Sequence, residues 1–259
     1  MREPKKIIQE ANRVATAKCN LKPSQRVVLG FLAGVYIAMG SLLAVKVGYG
    51  FPTFAADNAG VIRLFMGIVF PVGLIMVVLA GADLFTGNCG LFVPNMLNKK
   101  VDALKASKAL ATTWIANFIG SLFFGYFMVY LTGLSSMDST YDGFMAIAEI
   151  KTCNPFYVTL LKGIGANWLV CLALWLGMSS RSITGKILGL WFPIMAFVAI
   201  GYEHSIANMF FLPVAIMEGF DLTLADMFIK NIIPATLGNM IGGGLFVGGL
   251  YWFVYDRES

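Results

Sequence analysis

Charge is scarce in this chain of 259 residues. Only 13% of its residues are Asp, Glu, Lys or Arg, while 58% are hydrophobic. A soluble domain carries roughly 25% charged residues. So few charges cannot cover a water-facing surface, and the solvent for most of the chain is lipid. Histidine is scarcer still, because His204 is the only one. A lone histidine, short loops and no clustered catalytic residues argue against a membrane enzyme or a signalling protein. The four cysteines, Cys19, Cys89, Cys153 and Cys171, show no CxxC or zinc-type spacing. They read as small apolar packing residues, and neither a metal nor another cofactor is expected. The net charge is +5, yet the basic residues are scattered among short loops and form no stripe. That excludes a nucleic-acid partner. A signal peptide is not expected either. Residues 1–26 are polar and basic, and the first apolar run is long enough to span and lacks a small-residue cleavage pattern.

What the chain does have is long apolar runs. A transmembrane helix needs ~20 apolar residues. Six segments qualify, at roughly 27–48, 61–98, 108–133, 154–178, 187–217 and 231–254. Basic loops alternate with acidic ones. Arg2, Lys5, Lys6, Arg13, Lys18, Lys22 and Arg26 precede the first span; Lys99, Lys100, Lys105 and Lys108 follow the second; Arg181 and Lys186 follow the fourth. The intervening loops hold Asp57, then Asp138, Asp142 and Glu149, then Glu218, Asp221 and Asp226. This alternation predicts a multi-pass protein of the inner (plasma) membrane with both termini in the cytoplasm. Residues 1–26 read as an amphipathic cytoplasmic segment, with Ile7, Ile8, Ala11, Val14 and Ala15 on one face. Residues 27–254 read as a single transmembrane domain, and 255–259 as a short cytoplasmic tail.

Two of the apolar runs are interrupted. One contains Gly81-Ala82-Asp83-Leu84-Phe85-Thr86-Gly87-Asn88, the other Gly201-Tyr202-Glu203-His204-Ser205-Ile206-Ala207-Asn208. In both, an acid follows the glycine by two positions and an asparagine by seven. Polar backbone at membrane depth survives only where it is buried in protein or lines a cavity. The expectation is that each interruption splits its segment into two half-helices. Asn117-Phe118-Ile119-Gly120 and Asn239-Met240-Ile241-Gly242 repeat in the third and sixth spans. Residues 27–133 and 154–254 are thus two copies of one unit. Three spans per copy place the second upside down, and the two breaks meet near the midplane. The predicted fold is an all-α membrane protein with six transmembrane helices, an inverted 3+3 repeat and broken second and fifth helices. Gly30/Gly34 and Gly244/Gly248 form GxxxG spacings suited to close packing, within one protomer or between protomers.

Half-helix starts present free N–H groups that attract anions. His204 could exchange a proton with a permeating weak acid, or could tie helices together as a neutral ring. Asp83 and Glu203, with Asn88 and Asn208, read as structural groups at the breaks. The acids would accept hydrogen bonds from the half-helix starts or pair with a buried cation, outside an anion path they would repel. Thr86 offers a donor to an oxyanion or to His204, or bonds within its own turn. Asn167 could line a pore or glue helices, and Lys162 could snorkel or pair. Lys151 reads as drawing anions into a vestibule, or as a solvated loop lysine. Phe70, Phe85 and Phe197 fall near the breaks, where apolar rings can exclude hydrated ions.

Leu84-Phe85-Thr86-Gly87-Asn88, Asn167-Trp168-Leu169-Val170-Cys171-Leu172-Ala173 and Gly201-Tyr202-Glu203-His204-Ser205-Ile206-Ala207-Asn208-Met209 resemble signature stretches of the formate/nitrite transporter family. The resemblance covers nearly the whole chain. It implies an aquaporin-like fold, a homopentamer with one pore per protomer, and passage of small monovalent anions such as formate, nitrite or hydrosulfide. It also implies that His204 and Thr86 face each other in mid-pore. Apolar constrictions would flank them, at Leu74 and Phe85 with Val170 nearby on the cytoplasmic side, and at Phe70 and Phe197 outside. Lys151 and Asn167 match positions tied to the outer vestibule and the pore. The alternative is an aquaporin-type channel for small neutral solutes. Such pores usually carry Asn-Pro-Ala at the breaks and an arginine filter; neither break here has either.

Overall fold

The computed structural model describes residues 1–137 and 139–257. Asp138, one of the acids of the third loop, and the last two residues of the tail lie outside the described residues. Helices make up the chain in the order α1 (Pro4–Cys19), α2 (Pro23–Tyr49), α3 (Pro52–Asp57), α4 (Ala59–Val69), α5 (Val72–Leu79), α6 (Phe85–Leu97) and α7 (Ala103–Phe123). Then follow α8 (Thr140–Thr152), α9 (Phe156–Ser179), α10 (Ile183–Ile200), α11 (Ser205–Met217), α12 (Leu224–Asp226), α13 (Ile233–Ile241) and α14 (Leu250–Tyr255). Wider π turns continue α7 over Phe124–Tyr130 and join the last helices over Met227–Ile232 and Gly242–Gly249. Among the described residues, six helical stretches are long and apolar enough to cross a membrane. The protein is an all-helical, multi-pass membrane protein.

The interruptions fall where the pattern put them, with a different partition. The helix before the first break, Ala59–Leu79, has 21 residues, and the one before the second, Ile183–Ile200, has 18. Each is long enough to span alone. Each is followed by a 13-residue helix, α6 or α11. The units are therefore a full span and a short helix, not two halves. Phe70 and Pro71 join α4 to α5 with helical backbone angles. Gly201 ends α10 with φ +87°, a left-handed cap that L side chains rarely adopt.

Small residues set the helix contacts. α2 lies so close to α7 that a Cβ on Gly120 would stand 2.0 Å from the Phe31 carbonyl oxygen. α9 approaches the sixth span equally closely at Gly242, where a Cβ would meet the Ile164 carbonyl at 2.2 Å. Both GxxxG pairs work inside the chain: Gly34 faces Asn117, and Gly248 faces Gly90.

Both ends of the described chain pack inward. The apolar face of α1 does not lie on lipid. Ile7, Ile8, Ala11, Ala15 and Cys19 are buried in a cluster with Leu91, Phe92, Cys171 and Trp175. An amphipathic face needs an apolar partner, and here the protein supplies it. At the other end of the chain, Asp256 is buried and accepts from Asn12 Nδ2 at 2.7 Å and Asn98 Nδ2 at 2.5 Å.

Candidate pore and its two helix breaks

The two breaks are wired alike. At the first, the side chain of Asn117 donates to the carbonyls of Gly30 at 2.8 Å and Asp83 at 3.0 Å, and its Oδ1 accepts from the Phe85 N–H at 2.9 Å. At the second, Asn239 donates to Gly163 at 2.8 Å and Glu203 at 2.9 Å and accepts from the Ser205 N–H at 2.9 Å. Non-helical backbone at this depth must find partners inside the protein. One asparagine per break provides three.

The acids take cations and amides, not the helix starts. Asp83 is 1% exposed; it accepts from Lys18 Nζ at 2.8 Å, Asn88 Nδ2 at 2.9 Å and Thr113 Oγ1 at 2.8 Å. Arg26 stands 3.9 Å away. Glu203 accepts from Lys151 Nζ at 3.0 Å, Asn208 Nδ2 at 2.7 Å and Asn231 Nδ2 at 3.2 Å. Of the two roles open to these acids, pairing with a cation is the one in place. Lys18, Thr113 and Asn231 were not singled out by the sequence. Lys18 reads as one more loop cation until the repeat is used to ask which lysine answers Lys151.

His204 and Thr86 meet across the breaks. Thr86 Oγ1 lies 3.0 Å from His204 Nε2, and both residues are buried. The ring's Nδ1 accepts from the Ala207 N–H at 3.2 Å, so the imidazole caps its own helix. A nitrogen that accepts carries no proton. The ring is therefore neutral with its proton on Nε2, where it donates to Thr86. The threonine's own hydroxyl proton remains for another acceptor. Thr86, Gly87 and Ile206 are first-turn N–H donors with no partner among the described residues.

Asn167 sits behind this pair. Its amide donates to the carbonyls of Thr86 at 3.0 Å and Asn239 at 2.6 Å. It braces α6 against α9 and the sixth span, the gluing role of the two open to it. Asn88 and Asn208 likewise serve the acids.

A cavity of about 290 Å³ reaches His204. Phe70, Phe197, Tyr202, Lys151, Arg63 and Lys162 line it, and so does Glu203 beside its lysine. The acid expected to stay clear of any anion path thus borders the cavity, with its charge matched. Lys151 belongs to α8, a helix the pattern does not predict, whose last turn carries it to the cavity. Phe70 and Phe197 meet edge to face, centroids 5.6 Å apart at 85°, and Phe197 lies 5.8 Å from the His204 ring. Leu74, Phe85 and Val170 do not line this cavity; they are buried in one apolar cluster.

Comparison with known proteins decides the family. A family profile described as formate/nitrite transporter matches residues 5–253. The chain belongs to the formate/nitrite transporter family. It is 40% identical to a probable formate transporter of Methanothermobacter thermautotrophicus, over 99% of this chain and 98% of that one. It superposes on a solved FNT family ion channel with TM-score 0.83 and 31% identity, covering 97% of this chain and 98% of the other. A pentameric formate channel solved with formate bound gives TM-score 0.79 and 31% identity, over 90% and 97%. Members of the formate/nitrite transporter family are membrane transporters and channels, not enzymes.

Proposed function

We propose that each protomer carries one pore that passes a small monovalent anion of a weak acid, with formate, nitrite and hydrosulfide as candidate substrates. The reading rests on the buried His204–Thr86 pair at the inner end of a cavity lined by three cations. With Lys151 matched by Glu203, Arg63 and Lys162 supply the excess positive charge that raises the local anion concentration. Phe70 and Phe197 strip water from the ion as it passes. The free N–H groups of Thr86, Gly87 and Ile206 and the Thr86 hydroxyl offset that loss. In so dry a place the anion is a stronger base, and a proton entering from the outer water turns it into the neutral acid. The neutral acid crosses the Leu74, Phe85 and Val170 cluster at far lower cost than the anion. His204 serves as a neutral donor that orients Thr86 and fixes the tautomer.

The matched breaks also support an inverted-topology, aquaporin-like arrangement of two repeats. The solved relative described as pentameric supports a homopentamer. The charge alternation supports an inner-membrane location with both termini cytoplasmic, and 27–254 as one channel domain. Flux of formate, nitrite, hydrosulfide, chloride and glycerol into proteoliposomes tests the reading. It requires weak-acid anions to pass and chloride and glycerol to be excluded.

A further inference from the structure

A second cavity, of about 430 Å³, opens where the start of the chain meets the turn between α9 and α10. It shares no lining residue with the first. Its wall carries Arg2, Arg181 and Lys186 and a single acid, Glu10. One carboxylate cannot balance three cations, and Glu10 is shared with a fourth, Arg13. Arg13 donates to its carboxylate twice, at 2.7 and 3.1 Å, and this contact lowers the carboxyl pKa. Arg2, Arg181 and Lys186 form no salt bridge among the described residues. The hydroxyls nearby are engaged locally. Ser180 donates to the Ser182 carbonyl at 3.2 Å, and Ser182 accepts from the Gly185 N–H at 3.1 Å. Three cations thus share one space with a single carboxylate that Arg13 already bridges, which leaves an excess of positive charge.

Arg2 is fixed in place. Its backbone N–H donates to the Ser179 carbonyl at 2.8 Å, and its Nη1 to the Met178 carbonyl at 2.9 Å. Part of the remaining wall, at Leu79, Met178 and Ile183, is apolar. Leu79 is 45% exposed and Ile183 is 72% exposed, each at the end of a helix long enough to cross the membrane. A cationic floor beside an open apolar wall fits an amphiphile with an anionic head.

We propose that this cavity binds the phosphate group of an anionic ligand, and that its apolar wall favours the headgroup of an anionic phospholipid as the source. Guanidinium forks match phosphate oxygens in pairs, and Lys186 adds a point charge. A leaflet rich in anionic lipid presents such headgroups beside the ends of membrane-spanning helices.

The test uses the purified full-length protein in neutral detergent. It is titrated separately with phosphatidylglycerol, phosphatidylcholine and inorganic phosphate, and binding is read by native mass spectrometry and by thermal unfolding. Phosphatidylglycerol should be retained and should raise the unfolding temperature, and phosphatidylcholine should do neither. The Arg181→Gln, Lys186→Gln double variant should bind phosphatidylglycerol roughly 30-fold more weakly, at about fivefold per cation. Arg2→Gln alone, at a position outside every helix, should weaken it about fivefold and serves if the double variant fails to fold. A response to inorganic phosphate as strong as that to phosphatidylglycerol supports the site and assigns it a soluble ligand. Equal retention by wild type and variants, or equal retention of the two lipids, overturns the proposal.

Discussion

Asn117 and Asn239 stand 122 positions apart and make the same three hydrogen bonds, each to two carbonyls and one N–H around a helix break. Replacing either by Ala strands those groups where no water reaches them. Asn117→Ala and Asn239→Ala should each cost about 2–4 kcal/mol. Thermal unfolding of the purified variants checks this, and the two losses should be similar. A loss at one position only would mean that the breaks are not equivalent.

Glu203 is buried and its partner Lys151 is half-buried, so removing one charge is worse than removing both. Lys151→Met leaves Glu203 uncompensated and should cost about 3 kcal/mol. Adding Glu203→Gln should recover most of that stability without restoring anion flux. A double-mutant cycle on unfolding temperature measures the coupling. Additive losses would show that the pair is not the reason for the effect.

Two glycines predict opposite severities. Gly201 has φ +87° and nothing within 4 Å of a built Cβ, so Gly201→Ala meets backbone strain alone, about 1 kcal/mol. Gly120→Ala places a methyl 2.0 Å from the Phe31 oxygen and forces α2 and α7 apart. That should cost about 3 kcal/mol or prevent folding. Expression and thermal unfolding of the two variants rank them.

Phe197→Ala removes one ring of the contact with Phe70 and widens the cavity beside His204. Flux should rise, and anions larger than formate should begin to pass. Anion flux through reconstituted vesicles, compared across a size series, reads this directly. An unchanged size limit would place the outer barrier elsewhere.

Much of the fold is legible because lipid imposes simple rules. Apolar length marks the six spans, and the Gly-acid-Asn pattern marks both breaks. The site's first residues, His204 and Thr86, stand out as polar groups in apolar runs. What the pattern hides are contacts made across the chain. Lys18 reads as a loop cation, yet it is folded in to meet Asp83 65 positions away. Thr113 and Asn231 look like ordinary helix residues until an acid is placed beside them. α8 is missed because its sequence, with Asp142, Glu149 and Lys151, is too polar to read as a span. The side of α1 that would suit a membrane surface equally suits the groove it occupies, and amphipathicity alone does not choose between them.

We infer that His204, by orienting the Thr86 hydroxyl, controls the charge state in which the substrate crosses. The most direct measurement is formate flux in proteoliposomes across external pH, for wild type and His204→Asn. Wild type should transport faster as external pH falls, because more protons meet the anion at the dry mid-pore. His204→Asn should keep an open pore whose flux follows anion charge and membrane voltage. The same pH dependence and ion selectivity in both proteins would contradict the account and leave His204 as a helix tie.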